Sequence, residues 1–171
     1  MLSIPRRIPP RSLRHIGGFG RLGMDEALKA KILGVLQSQH LMTLATIRPD
    51  GYPQATIVNY IHDDLTLYFA TDAASQKAGN IKLNNKVSVA IASETENFYK
   101  LRAVSMSGTA ARVGETQTAQ HLSLRLFRTL PQSKRFVPED PKQLAVYAIA
   151  PVAIALVDYA SGFGKTYLVE L

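Results

Sequence analysis

The sequence predicts a mainly β domain, an antiparallel barrel carrying a few short helices. Three features lead there. Short β-rich runs with period-two apolar alternation fill most of the chain, turn signals separate them closely, and only three segments have helical spacing. A doubly wound sheet would need a helix between most of its strands, and hairpins dominate here instead.

The elements follow in order. From Asp25 to His40 the apolar residues Leu28, Ile32, Val35 and Leu36 recur at helical spacing, with Asp25 placed as the N-cap. A strand is expected over Leu41–Ile47, then a turn at Arg48-Pro49-Asp50-Gly51, then a second run over Tyr52–His62. Pro fixes φ in that turn and Gly supplies the positive φ that closes a hairpin. Asp63-Asp64 reverses the chain into Leu65–Thr71, where Leu65, Leu67 and Phe69 alternate with Thr66 and Tyr68. A short helix fits Ser75 to Asn84. Two more strands follow, one around Val87, Val89 and Ile91, the next around Val104, Met106, Gly108 and Ala110. Ala119, Leu122 and Leu126 return to helical spacing before Pro131. Leu144–Val157 reads as a long buried strand with Pro151 at a bulge or edge. A glycine-rich turn then leads into a last strand, Lys165–Leu171.

Bulk composition narrows the function. The chain has 171 residues, enough for one domain, and its 46% hydrophobic content can supply a core. It has no Cys, which excludes disulfides, cysteine metal sites and a thiol nucleophile, and fits a cytoplasmic location. The formal charge of +7 suggests nucleic acid, but its distribution does not. Arg6, Arg7, Arg11, Arg14 and Arg21, with no acid among residues 1–23, supply +5 of it. Residues 1–23 also hold three prolines and four glycines, so they read as a flexible basic leader to a domain at 24–171. Leu144–Val157 is 14 residues long and contains Pro151, short of the ~20 needed to span a bilayer. Neither a nucleic-acid nor a membrane partner is expected.

The stretch with chemical content is Phe69-Ala70-Thr71-Asp72-Ala73-Ala74-Ser75-Gln76-Lys77-Ala78. A strand ends at Thr71 and a small-residue turn leads into a helix that opens on Ser75, Gln76 and Lys77. Unsatisfied N–H groups and the positive dipole end of that helix suit a phosphate. The Ser75 hydroxyl can donate to it, and the Lys77 ammonium supplies compensating charge. The competing reading is an ordinary cap and a solvated lysine.

The order of motifs resembles the FMN-binding split-barrel family that includes pyridoxamine 5′-phosphate oxidase. Leu-Ala-Thr-Ile, a turn ending Asp-Gly, Tyr-Pro-Gln-Ala-Thr-Ile-Val-Asn, Leu-Tyr-Phe-Ala-Thr and Ser-Gln-Lys-Ala follow one another, then Asn80 and Asn84-Asn85-Lys86-Val87-Ser88-Val89. The resemblance implies a split antiparallel β-barrel, Greek-key-like, with FMN as cofactor. The flavin ring would lie along Thr56, Ile57, Val58 and Asn59 and contact Ala70 and Thr71, and its phosphate would sit on Ser75, Gln76 and Lys77. It also implies a homodimer with flavin at the interface, a small-molecule substrate and a nicotinamide electron donor. Many relatives carry Arg where this chain has Gln76.

The oxidase itself is disfavoured. Its substrate-binding lysine near the end of the second strand matches Ile61, and its closing Arg-x-His is replaced by Gly162-Phe163-Gly164-Lys165-Thr166-Tyr167. The expectation is an FMN-dependent oxidoreductase, its catalytic residues unassigned because the flavin carries the chemistry. A deazaflavin-dependent reductase and a non-catalytic flavin or heme binding protein remain open. His15, His40, His62 and His121 lack metal-ligand spacing. Ser161 lacks the nucleophile-elbow glycine, and Gly162–Thr166 lacks phosphate-loop spacing.

Overall fold

The computed structural model describes residues 23–132, 140 and 143–171. The leader, apart from Gly23, therefore lies outside the described residues. Among the described residues the α-helices and strands are α1 Glu26–Ser38, β1 Leu41–Ile47, β2 Pro53–Asn59, β3 Ile61–Asp63, β4 Thr66–Asp72, α2 Gln76–Leu83, β5 Lys86–Ala92, β6 Arg102–Arg112, α3 Thr116–Thr129, β7 Leu144–Asp158 and β8 Thr166–Glu170. The fold class expected from the sequence is the fold observed: a curled antiparallel sheet forming a split barrel, with three helices.

The strand order is β2-β1-β5-β6-β7-β4-β3, and β8 pairs with β7. The two ends of that order are neighbours in the chain, because only Tyr60 separates β2 from β3. The sequence suggested one unbroken run through Tyr52–His62, and the break has a physical cause. The Tyr60 side chain is 1% exposed in the main core, and its phenol donates to the Leu36 carbonyl at 2.8 Å. The next residue, Ile61, is buried on the other side, in a second cluster under α3 with Leu122, Leu126 and Val146. These two residues keep the regular alternation, so the break is a change of partner: the Tyr60 N–H donates to the His40 carbonyl just before β1, and from Ile61 the chain pairs with β4 instead.

Local chemistry explains the helices and turns. The Asp25 side chain accepts from the Leu28 N–H at 2.7 Å and caps α1. Leu28, Ile32, Val35 and Leu36 are the buried stripe of that helix. Fully buried residues such as Ile32 and Leu36 each contribute about 1.5–3 kcal/mol of transfer free energy. Gly51 has a φ of +86° at the β1–β2 turn, as the Pro-Asp-Gly signal requires. Inside the barrel Phe69 and Tyr147 stack with ring centroids 5.3 Å apart.

The long strand β7 carries the bulge anticipated at Pro151. Gly108 faces Pro151 and Ser107 faces Ala153, so Val152 has no partner on β6. Gly108 is required there by close approach, since a Cβ would sit 2.6 Å from the Ala150 carbonyl oxygen.

Beyond the bulge, Asp158 closes β7 as a buried carboxylate. It accepts from Lys31 at 3.0 Å, Arg102 at 3.1 Å and Ser161 at 3.0 Å. Burial pushes this carboxyl upward, and the three donors outweigh that effect to hold it at about 2. The node joins α1, β6 and the turn after β7. No helix among the described residues is long and apolar enough to cross a membrane.

Candidate functional site

The sheet is open along one line. β2 pairs with β1 alone, so its other long side has no strand partner among the described residues. Across from it, β3 pairs with the Thr66–Tyr68 part of β4, which leaves Phe69–Asp72 paired only with β7. Between these two borders the chain leaves β4, turns, and enters α2. Pro53, which cannot donate to a ladder, opens β2 on this unpaired edge.

The α2 N-terminus is a compact polar cluster. Ser75 is the N-cap, and its hydroxyl accepts from the Ala78 N–H at 3.4 Å. That hydroxyl is also 3.1 Å from the Thr71 hydroxyl. Lys77 folds back and donates to Thr71 at 3.4 Å. Thr71, Ser75 and Lys77, singled out from the sequence, therefore meet in space. The Asp72 carboxylate accepts from the Ala74 N–H at 2.7 Å and shapes the turn.

Gln76 is placed differently. Its Oε1 accepts from Gln54 Nε2 at 2.6 Å, and Gln54 Oε1 in turn accepts from Asn80 Nδ2 at 3.1 Å. Asn80, 2% exposed, also donates to Thr46 at 2.9 Å. Gln54 and Thr46 stood only inside sequence motifs with no role assigned, because polar residues in exposed-looking strands are ordinary. Asn80 was noticed only as part of a motif.

The four β2 residues divide between two faces. Thr56 and Val58 point one way, and Val58 belongs to the main core. The Thr56 hydroxyl oxygen is buried without a hydrogen-bond partner among the described residues. Ile57 and Asn59 point the other way. Ile57 is 65% exposed. Asn59 is engaged by α3, donating to the Leu126 carbonyl at 2.9 Å and accepting from Thr129 at 3.2 Å. Ala70 packs against the cluster under α3.

Other features lie elsewhere. A cavity of about 460 Å³ between α3 and β3–β4 is lined by Asp63, Tyr68, Glu115, His121 and Arg125, among others. Arg125 is already spent on Asp63, with a fork of 3.0 and 2.8 Å that holds the carboxyl below its ordinary range. Phe163, in the closing glycine-rich turn, is 89% exposed and meets Tyr159 edge-on at 5.6 Å. Among the described residues no three His, Cys, Asp or Glu side chains converge on a metal position.

A curled antiparallel sheet with an open seam and a helix starting at that seam is the architecture of the split-barrel proteins. The chain belongs to the pyridoxamine 5′-phosphate oxidase family, whose model matches residues 28–158. General stress protein 26 of Bacillus subtilis (strain 168) is 32% identical over 74 residues, 43% of this chain and 52% of that protein. The match thus spans about half the length of that curated relative, which is not the oxidase. Two solved structures share the fold. A heme binding protein from Mycobacterium smegmatis has a TM-score of 0.70 and 17% identity, over 87% of this chain and 59% of that one. A FAD-binding protein from Mesorhizobium loti has a TM-score of 0.62 and 16% identity, over 74% of this chain and 91% of that one.

Proposed function

We propose that this protein binds FMN along the open seam and serves as a flavin-dependent oxidoreductase for a small molecule, working as a homodimer. One observation carries the reading: Thr71, Ser75 and Lys77 converge at the start of α2, beside a strand edge whose peptide groups have no strand partner among the described residues. Ser75 and Lys77 would hold the phosphate, and the first N–H groups of α2 would complete its shell. The outward peptide groups of β2 would orient the ring. When bound, the flavin would supply hydride transfer at N5, with a nicotinamide donor as its electron source.

The residues fit such a group in charge as well as in position. Lys77 is the one cation in the cluster, and a monophosphate needs a single nearby positive charge more than a metal does. The sequence has no G-x-G-x-x-G after a strand, the cradle that holds a pyrophosphate in dinucleotide-binding folds.

The dimer reading rests on the outer face of the β1–β2 hairpin. Ile57 stands opposite Thr43, and Ile47 opposite Pro53, on one face, where Leu41 is 50% and Ile57 65% exposed. Apolar side chains gathered on one sheet face favour a self-complementary contact. The purified protein is expected to be yellow and to release FMN on denaturation, as mass spectrometry of the freed ligand would establish. Recovery of FAD, heme or a deazaflavin instead would overturn the assignment.

A further inference from the structure

The Gln76 side chain is exposed, yet it is held by a chain of amides that starts in the core. Thr46, 1% exposed, and Asn80, 2% exposed, form the fixed end. Asn80 Nδ2 donates to both Thr46 and Gln54 Oε1, and Gln54 Nε2 donates to Gln76 Oε1. The chain links β1, α2, β2 and the first turn of α2 in that order. It also has a direction. Asn80 donates from its nitrogen at the inner end, Gln54 accepts on its oxygen and donates onward from its nitrogen, and Gln76 accepts on its oxygen, which leaves the NH2 group of Gln76 as the outer, donating end.

We infer that Gln54, anchored by Asn80, is a positioning residue that fixes Gln76 as a neutral donor for the cofactor phosphate; this rests on the FMN reading above. A solvated glutamine at a helix start samples many rotamers, and ordering it on binding costs affinity. Anchoring through Gln54 removes that cost beforehand, because the stem is already fixed when the anion arrives. A guanidinium at position 76 would bring its own charge. The amide instead contributes geometry, so its orientation decides whether it helps at all. Gln54 touches no part of the phosphate in this arrangement and acts through Gln76.

Titration of FMN and riboflavin into the full chain and three variants tests this. Gln54→Met and Gln76→Met keep the stems and remove the amides. Each is expected to raise the FMN Kd about 3- to 10-fold, the range of one neutral hydrogen bond, and to leave riboflavin within about 2-fold. The double variant is expected to be no worse than either single one, since the two residues act as a unit. Losses that multiply, or an unchanged FMN preference in Gln54→Met, overturn the positioning role and leave the cradle standing. A wild-type protein that binds riboflavin as tightly as FMN removes the cradle, and the role of Gln54 with it. Melting temperatures of the ligand-free proteins identify any variant whose loss comes from unfolding; Gln54→Asn, too short to reach Gln76, then replaces it with the same expected loss of FMN preference.

Discussion

Lys77 carries its ammonium back to within 3.4 Å of the Thr71 hydroxyl, on the strand that leads into its own helix. A lysine there could have extended into water, and the fold-back places its charge over the α2 N-terminus. If that charge serves a phosphate, Lys77→Ala removes one charge-assisted contact of about 1.5–3 kcal/mol. The FMN Kd is then expected to rise about 10- to 150-fold while riboflavin binding is unchanged. Ser75→Ala is expected to show the same selectivity at smaller size, with about 1 kcal/mol lost from the cap. Equal losses for both flavins in a calorimetric titration would contradict the phosphate role.

Acid sensitivity is expected to trace to Asp158. Its folded carboxyl titrates at about 2, below the ordinary value of about 3.9 that it regains on unfolding. A depressed folded value means that its contribution is complete above about pH 4 and is lost as the pH falls toward 2. The size is about 2 kcal/mol, lessened by solvent around the half-exposed Lys31 and Arg102. Melting curves should show wild type losing stability across that window, with Asp158→Asn less stable at neutral pH and flatter below pH 4. Parallel curves for the two proteins would argue against the node.

Gly108→Ala is expected to destabilise the fold by about 1–3 kcal/mol, the usual cost of overfilling a packed core. The new methyl would lie 2.6 Å from the Ala150 oxygen and 2.9 Å from Ile149 Cγ2. One of those neighbours is backbone and cannot rotate away. Urea unfolding measures the change, and a variant as stable as wild type would mean that the β6–β7 bulge yields easily.

Ile57→Lys tests the proposed dimer. Its side chain is 65% exposed on the outer face of β2, so the substitution should leave the fold intact while burying a charge in any contact made there. Light scattering should give twice 18.8 kDa for the wild type and 18.8 kDa for the variant. A wild-type monomer loaded with flavin would exclude this arrangement.

Most of the fold was legible because period and turn chemistry are local. Leu28, Ile32, Val35 and Leu36 announce α1, and Pro49-Asp50-Gly51 announces its hairpin. Ser75 and Lys77 were likewise legible as a helix opening. The break at Tyr60 was not, since it depends on where β1 begins beside Asn59 and on β4 pairing with Ile61–Asp63. Asp158 carried no signal in the sequence because its partner Lys31 lies 127 residues away. The same distance problem hid Gln54, whose importance exists only where α2 brings Gln76 and Asn80 beside it.

The open side of β2 matters before any ligand arrives. A row of N–H and C=O groups with no strand partner among the described residues is a template onto which a stray strand from another chain can add. Pro53 blocks only the first position of that row. Ligand and subunit partner, by covering it, would act as guards against misassembly as well as parts of a working site. Yield of soluble protein in a producing cell should therefore track the supply of flavin, and starvation for riboflavin should send the newly made chain into aggregates.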